Sequence, residues 1–493
     1  MFLGIDVGSQ SLKAVLLDGA LRPAGRGGRS YSIAFPQPGW AEQQPQLWEA
    51  ALGPAVAEAL AAAAHGPGDV VAVGIAGQLD GSVPVDAAGH ALGPCLIWMD
   101  RRADAGLAAL RRQVRPADFR RRTGANLDGS HMAPKMRWQL DQGAHRGVAA
   151  RFHQPVSYLV ERLTGEAVMD HGLASTTLVY DLKAAEFAED LLALFGLDRR
   201  LLPRLAPSEA VAGRLTGGGA ALIGLPAGLP VAVGTGDDFS TPLGAGVAEP
   251  GTIANVLGTA EVVGALDPRP LIDEAGLVET HRYVGSHLYY IENPGWVSGG
   301  ALEWLRALLQ IADFAAFDAR AADVTAGGDG LIFLPALTGA MTPEWNAAAR
   351  GCFYGLTPSH GAGHLARAAL EGTAFGLRDV SERLRAMGVA AARVRVLGGG
   401  AKSRLWAQIR ADVTGLPVER SAVSDNSAVG AAILAAVAAG QVGSVAAGAA
   451  AAGTVADVIE PQGKMRGIYD EMHGRYRLLF DSLKPMFEER AAD

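Results

Sequence analysis

The sequence predicts an α/β fold made of two domains of related design. Short apolar runs that suit buried strands alternate along the chain with longer amphipathic runs that suit helices, a pattern typical of α/β proteins. A strand–turn–strand pattern opens each half of the chain, at residues 2–18 and 251–266, which indicates two related halves. The 493 residues are enough for two large domains, and we expect these at 1–246 and 247–493.

The first half begins with the predicted hairpin FLGIDVGSQSLKAVLLD, in which apolar residues flank a polar turn. Further strands are predicted at residues 70–78 and 230–237, and helices at 48–64 and 156–165. Both strands end in small polar residues, and parallel α/β sheets bind their ligands at such strand ends. We therefore expect a ligand site where these strands end.

The second half repeats the opening hairpin and then alternates again. A long helical pattern covers residues 365–388 and ends at a Gly C-cap, and VRVLGGGAKS at 394–403 is a strand that enters a Gly-rich turn. Residues 426–456 carry no charge, but they are mostly Ala with several Gly, which favours two packed helices over a membrane span. Residues 467–490 predict an amphipathic closing helix that docks on the second domain.

Composition excludes several classes of protein. The net charge is −8, from 43 basic and 51 acidic residues, which does not favour nucleic acid or an anionic membrane surface as a partner. Only two cysteines occur, so we expect reduced thiols and a cytoplasmic location rather than a disulfide framework. The N-terminus lacks the basic region of a signal peptide and has Asp6 among its first residues.

The turn of the first hairpin is the first of four stretches that suit phosphate binding. Glycine lets backbone N–H groups approach phosphate oxygens, and serine adds a hydroxyl donor. Asp6 could hold a metal ion through water, because Mg²⁺ keeps several waters in protein sites. Taken alone, this stretch is also typical of an ordinary β-hairpin. The predicted phosphate-binding residues of the turn are Gly8, Ser9, Gln10 and Lys13.

The other three stretches lie in the second half. Leu257-Gly258-Thr259-Ala260 forms the second hairpin turn, and Ser298-Gly299-Gly300-Ala301 starts a helix beside the same predicted cleft. The three glycines of 398–400 leave a flat backbone surface on which an adenosine could lie, although a tight strand-to-helix turn is the alternative. The absence of Gly before Lys402 excludes a P-loop. The predicted ATP-binding residues here are Gly258, Thr259, Gly299, Gly399, Gly400 and Ala401.

Adjacent carboxylates, Asp237 and Asp238, follow the strand at 230–237 within the small-sided stretch GTGDDFSTPLGAG. A carboxylate within hydrogen-bond reach of an alcohol can accept its proton as the hydroxyl attacks a phosphate. The neighbouring negative charge should raise the pKa of such a base through repulsion. A turn or N-cap role for one of the two is the structural alternative.

Two hairpins and a Gly-rich turn in this order resemble the actin-like ATPase architecture, a ribonuclease H-like fold. GCFYGLTPSHGAGHLARAALE at 351–371 and, in part, SHMAPKMRWQLDQ at 130–142 are similar to the two signatures of the FGGY family of carbohydrate kinases. The second departs from its signature at Met132 and Gln139. The resemblance implies that ATP with Mg²⁺ and a sugar bind in the interdomain cleft, the sugar on the first domain and the nucleotide on the second.

Within that family, GIAGQLDG (74–81), LIWMDRR (96–102) and GTGDD (234–238) look most like segments of xylulokinases. By this resemblance Asp237 is the catalytic base. The residues that it places in the sugar pocket are Gln78, Leu79, Asp80, Trp98, Asp100 and Asp238.

Asp80 is the main departure, because xylulokinases have a histidine there. An ionised Asp only accepts hydrogen bonds, and an acidic pocket disfavours a sugar acid unless Arg101 or Arg102 turns inward. The alternative is that Asp80 pairs with one of those arginines. Ser9 and Ala260 are milder departures, at positions where Thr and Ser are usual.

We therefore expect an ATP-dependent kinase for a pentulose, D-xylulose first. The alternatives are a kinase for another neutral substrate such as ribulose, erythritol or glycerol, and a non-catalytic ATP- and sugar-binding switch. The sequence does not determine the oligomeric state, although homodimers are common in families of this kind.

Overall fold

A computed structural model describes residues 1–142, 145–285 and 287–492 and confirms the two-lobed α/β architecture. Both predicted hairpins form. The strands of the first half are β1 Phe2–Val7, β2 Ser11–Leu17, β3 Pro23–Ser30, β4 Glu42–Gln43, β5 Ala72–Gly77, β6 Val83–Val85, β7 Cys95–Leu96, β8 Arg151–His153, β9 Val168–Asp170, β10 Tyr180–Asp181, β11 Glu186–Phe187, β12 Arg204–Ala206, β13 Val211–Arg214, β14 Pro230–Ala232 and β15 Thr235–Gly236. Those of the second half are β16 Gly251–Leu257, β17 Ala260–Asp267, β18 Glu279–Arg282, β19 Tyr289–Val297, β20 Ile332–Leu334, β21 Cys352–Tyr354, β22 Ala391–Leu397, β23 Val418–Ser421 and β24 Val455–Ile459.

The predicted helices form with modest changes at their ends. The helices of the first half are α1 Pro45–Ala63, α2 Asp104–Arg111, α3 Pro116–Thr123, α4 Met132–Asp141, α5 Pro155–Thr164, α6 His171–Ser175, α7 Glu189–Leu194, α8 Gly217–Ile223 and α9 Asp237–Gly244. Those of the second half are α10 Gly299–Leu308, α11 Phe314–Ala322, α12 Ala362–Ala386, α13 Arg404–Thr414, α14 Asn426–Ala438, α15 Val445–Ala452 and α16 Arg466–Ala492.

Two large sheets repeat one topology. The first runs β13-β14-β5-β1-β2-β3, with β15 also paired to β5, and the second runs β24-β23-β22-β16-β17-β19-β18. In each, an antiparallel hairpin (β1–β2 or β16–β17) has a parallel neighbour (β5 or β22) beside its first strand. This repeat explains why the two halves of the sequence open on the same pattern.

Small residues let helix α14 pack closely on the first sheet. A Cβ added to Gly4 would lie 1.8 Å from the carbonyl oxygen of Ala428, and one added to Gly74 would lie 2.0 Å from that of Ala431. These distances are far below van der Waals contact, so only glycine fits at either strand position. The uncharged segment 426–456 thus forms the two packed helices α14 and α15, as predicted, and α14 belongs to a buried cluster between the lobes.

The predicted closing helix is α16. Its buried side chains belong to the hydrophobic core of the second lobe, as expected from its amphipathic pattern: Tyr469, Met472, Tyr476, Phe480 and Phe487. In the part of the chain that the structure describes, no helix combines the length and the apolar character needed to cross a membrane.

The packing of α14 generates a test of stability. Gly74→Ala should lower the free energy of unfolding by about 1–3 kcal/mol, the usual cost of overpacking, because the new methyl group would overlap Ala431. Gly467→Ala is the matched control, since nothing lies within 4 Å of a Cβ added there and Ala favours the helix. Urea unfolding of both variants measures the difference, and equal stability would contradict this account of the packing.

Candidate active site

Three neighbouring parallel strands bring the predicted acidic residues to one edge of the first sheet. Strand β5 lies between β1 and β15, with Asp6 opposite Ala76 and Gly236 opposite Gly77. Asp237 and Gln78 follow directly after β15 and β5. Asp6, Gln78 and Asp237 therefore lie at the carboxyl ends of adjacent strands, where ligands bind in open α/β sheets.

Asp237 and Asp238 form the first turn of α9. Both side chains are partly buried, and neither accepts a side-chain hydrogen bond from the described residues. Burial raises the pKa of Asp237 well above its ordinary value, and the charges of Asp238 and Asp6 add to that effect. Burial likewise raises the pKa of Asp238 to about 7, with a contribution from Asp80. Apart from the N-terminus of α9, the protein therefore provides little that stabilises the ionised form of either carboxyl group.

The backbone of Asp80 is fixed by hydrogen bonds at both its N–H and its carbonyl group. Its φ is +61°, its N–H donates to Oε1 of Gln154 at 2.7 Å, and its carbonyl accepts from Nζ of Lys135 at 2.8 Å. Its carboxylate lies 3.3 Å from Nδ1 of His131. The alternative that Asp80 pairs with Arg101 or Arg102 is therefore wrong, because Arg101 pairs with Asp128 and Arg102 with Asp100.

His131 is part of a buried chain in which acidic side chains alternate with histidines. Nε2 of His131 lies 3.8 Å from Oε1 of Glu279, and Oε2 of Glu279 lies 3.5 Å from Nε2 of His281. Burial alone would lower the pKa of His131, but Asp80 and Glu279 outweigh it and hold that pKa well above its ordinary value. Glu292 is also buried nearby. Burial raises its pKa, and the negative charge of Asp238 adds to that effect.

Sequence reasoning missed this network because its members come from distant parts of the chain. His131 precedes α4 within the quoted signature stretch, whereas Glu279 and His281 lie on β18 of the other sheet. No local spacing joins them. A histidine inside a family signature was the one signal in the sequence.

The remaining predicted pocket residues lie in different environments. Gln78 is buried and donates to Gln43 at 2.7 Å. Leu79 lies beside Asp237, since a Cβ added to Gly236 would be 2.9 Å from the Leu79 side chain. Trp98 has 42% of its surface exposed.

The structure gives Asp100 another role than the predicted one. Its carboxylate is fully buried, accepts from the N–H of Ala41 at 2.7 Å, and binds Arg102 through both oxygens. The guanidinium of Arg102 in turn stacks on Trp40, 3.6 Å from the ring centroid. No face of the carboxylate is left for a substrate, so Asp100 is an internal ion-pair partner.

The first phosphate-type turn, at Gly8, Ser9 and Gln10, joins β1 to β2. The N–H of Gly8 closes the turn by donating to Ser11 at 3.1 Å, and the carbonyl of Ser9 accepts from Gln43. Lys13 extends from β2 toward the second half of the chain, where its ammonium lies 3.0 Å from Asp425. A bound phosphate would therefore compete with that carboxylate for Lys13.

The three second-half stretches meet at one place. The backbone of Thr259 accepts from the N–H groups of Ser298 and Gly300 at 3.1 and 3.0 Å, so the hairpin turn Gly258-Thr259 contacts the start of α10 at Gly299. The Gly-rich turn continues β22 beside it as a short 3₁₀ helix, Gly399–Lys402. Gly400 lies against Leu257 at the end of β16, with Gly399 exposed and Ala401 buried.

Asp6 suits a water-mediated magnesium site. Burial raises its pKa to about 6, Ser427 donates to Oδ1 at 3.0 Å, and Oδ2 has no donor among the described residues. No group of three or more potential ligands forms a metal cage in the described part of the chain. That arrangement fits Mg²⁺, which commonly binds through one or two carboxylates, waters and substrate phosphates.

Comparisons with known proteins agree over nearly the whole chain. The model of the N-terminal domain of the FGGY family of carbohydrate kinases matches residues 1–244, and that of the C-terminal domain matches 253–439. A glycerol kinase from Gloeobacter violaceus is 34% identical, covering 91% of this chain and 90% of that protein. The structure of a xylulose kinase from Rhodospirillum rubrum superposes with a TM-score of 0.91 at 32% identity, covering 99% of both chains.

The enclosed ion pair generates a test of the role of Asp100. Asp100→Asn should lower the free energy of unfolding by about 1.5–3 kcal/mol, because buried Arg102 would lose one of its two carboxylate partners and keep Glu42 at 2.7 Å. Asp118→Asn removes an exposed carboxylate that also pairs with arginines, and it should change stability far less. Chemical denaturation compares the two; a stable Asp100→Asn with impaired substrate binding would return Asp100 to the pocket.

Proposed function

The chain belongs to the FGGY family of carbohydrate kinases, and we propose that it transfers the γ-phosphate of ATP to a primary hydroxyl of a small neutral ketose or polyol. Asp237 is the proposed general base. The observation that carries this proposal is the placement of Asp237: it follows a parallel strand, next to Asp6 and Gln78, with no side-chain partner among the described residues.

The chemistry requires a base because an alcohol is a poor nucleophile at neutral pH. A carboxylate beside the attacking hydroxyl accepts its proton as the new O–P bond forms, a contribution of about 10²–10⁴-fold in typical enzymes. The raised pKa makes Asp237 a stronger base. It acts only while ionised, so the cleft must keep enough of it deprotonated near neutral pH.

ATP is proposed to lie between the two hairpin turns. We propose that residues 1–246 bind the acceptor and supply the base, and that residues 247–493 hold the adenosine on the Gly399-Gly400-Ala401 turn. The backbone N–H groups of the turns would bind the phosphates, and Asp6 would bind Mg²⁺ through water. Bound Mg²⁺ supplies neutralisation of the charge that develops on the transferring phosphoryl group.

Two acceptor classes have support. D-Xylulose, the first candidate from the sequence, is supported by the pocket segments and by the likeness to the Rhodospirillum rubrum xylulose kinase. A polyol such as glycerol or erythritol is supported by the glycerol kinase relative and by Asp80, whose carboxylate accepts hydrogen bonds from hydroxyls but donates none to a carbonyl. For either acceptor class, the acidic side chains of the pocket would repel the carboxylate of a sugar acid and so disfavour that substrate.

The proposal predicts acceptor-dependent ADP release. Wild-type protein with Mg²⁺ and ATP should release ADP when a ketopentose or a small polyol is present, and Asp237→Asn should lower that rate by about 10²-fold or more because the base is lost. A coupled ADP assay over a panel of ketoses, polyols and sugar acids measures both effects.

Nucleotide binding by the same variant serves as its control. Asp237→Asn should bind Mg·ATP about as well as the wild type in calorimetry, because the amide keeps the shape of the carboxyl. Near-normal turnover in this variant would refute the base assignment. ATP hydrolysis that no acceptor changes, with no phosphorylated product, would instead favour a nucleotide-binding switch.

The pKa of Asp237 predicts the acid limb of the pH profile. The base works ionised, so kcat/KM should be high above its raised pKa and fall as pH falls through it. Asp238→Asn removes the adjacent negative charge and should move this limb to lower pH, whatever it does to the absolute rate. Profiles of kcat/KM for both proteins from about pH 5 to about pH 9 measure this shift. Acid limbs that coincide would contradict an effect of the Asp238 charge on the pKa of Asp237.

A further inference from the structure

The Asp80 carboxylate has one charged partner within hydrogen-bond distance in the described chain, and that partner is His131. The backbone of Asp80 is fixed by Gln154 and Lys135, so rotation of its side chain is the freedom that remains. Nδ1 of His131 at 3.3 Å restricts this rotation. His131 is 4% exposed and precedes the first residue of α4.

The far side of the imidazole faces the other half of the chain. Glu279, 1% exposed, lies 3.8 Å from Nε2 of His131. Oε1 of Glu279 is held by the N–H of Asn126 at 2.7 Å, and the next residue, Thr280, donates to the carbonyl of Gly124 at 2.9 Å. One imidazole thus lies between two buried carboxylates from different lobes, an arrangement that favours the doubly protonated ring.

We propose that His131 is a positioning residue: Nδ1 of its ring holds the Asp80 carboxylate oriented toward a substrate hydroxyl, and Glu279 of the second lobe lies against the far side of the ring. The inference deepens the proposed function and rests on it, since it assumes that Asp80 faces the acceptor.

Other charged groups near this imidazole have opposite effects on its protonation. The positive charge of Lys135, which also lies beside Asp80, disfavours the imidazolium, whereas the negative charges nearby favour it. The ionisable groups that act on His131 or on its two carboxylate partners are Asp128, Lys135, Asp238, His281 and Glu292.

As a consequence, two acidic side chains of the proposed pocket differ in the hydrogen bonds that they can form. A carboxylate held by His131 at the position of Asp80 accepts hydrogen bonds and donates none. Asp238, whose pKa burial raises to about 7, is partly protonated near neutral pH and can also donate. A hydroxyl group satisfies Asp80, whereas a carbonyl oxygen at the same point would face it without a proton to share. His131 therefore sets which oxygen pattern the pocket accepts.

The experiment uses two substitutions of the same histidine in the full-length enzyme. His131→Ala removes both the charge and the donor, and should raise the acceptor KM by about tenfold or more with little change in kcat or in the KM for ATP. His131→Asn keeps an N–H near the place of Nδ1 without the charge, and should recover part of that loss. His473→Asn breaks a similar buried pair with Asp379, 2.8 Å long, and should affect stability alone.

The pH dependence separates positioning from mere packing. The acceptor KM of the wild type should rise at alkaline pH as His131 loses its proton, and this rise should be absent in His131→Asn. Unchanged acceptor KM in His131→Ala, or a loss confined to kcat, would overturn the proposal.

A measurement without turnover keeps the two proposals distinguishable. Imidazole NMR should show His131 protonated at neutral pH in the wild type, and Glu279→Gln should move its titration to lower pH because one counter-charge is gone. A neutral ring, or a titration that Glu279→Gln leaves unchanged, would overturn the inference even if His131→Ala fails to fold. Absence of acceptor-dependent ADP release in the wild type would overturn the kinase proposal instead.

Discussion

Uncompensated negative charge in a buried cleft is the constraint on which this structure depends. Burial raises the pKa of Asp6, Asp237, Asp238 and Glu292, so ionising each costs free energy that the protein does not fully return. The nearby bases have other partners: Lys13 pairs with Asp425, and Lys135 donates to the carbonyl of Asp80. A metal-bound nucleotide would bring positive charge to these carboxyl groups and an alcohol would bring a hydrogen-bond donor, in keeping with the proposed phosphoryl transfer.

The repeated sheet delivers these charges to one place. Each half supplies a hairpin turn beside the end of a parallel strand, so two turns of the same kind are available for one nucleotide. Glycine at positions 4 and 74 lets α14 approach the first sheet until backbone atoms touch, and the start of α14 then reaches Asp6 through Ser427 at 3.0 Å. Small residues in the core are thus as necessary for the cleft as the acidic residues that line it.

Local sequence patterns predicted the elements and the strand-end acids, but they did not predict side-chain partners. Hairpins, Gly-rich turns and the Asp237–Asp238 pair each lie within a few residues, so their spacing carries the information. The partner of Asp80 is 51 positions away, and Glu279 lies in the other half of the chain. Asp100 illustrates the same limit: its segment resembles a pocket motif, yet its side chain is enclosed by Arg102 and the backbone of Ala41.

The lobes are joined by the packing of α14 on the first sheet and also by hydrogen bonds on the side where the acceptor is proposed to bind. Thr280 and Glu279 of β18 form hydrogen bonds with the backbone of residues 124–126, while the Gly258-Thr259 turn is exposed. A dry phosphoryl transfer requires closure over the nucleotide, and such closure would have to preserve these hydrogen bonds for Glu279 to stay beside His131. The proposed acceptor pocket therefore depends on both lobes, with Asp80 and His131 from the first and Glu279 from the second.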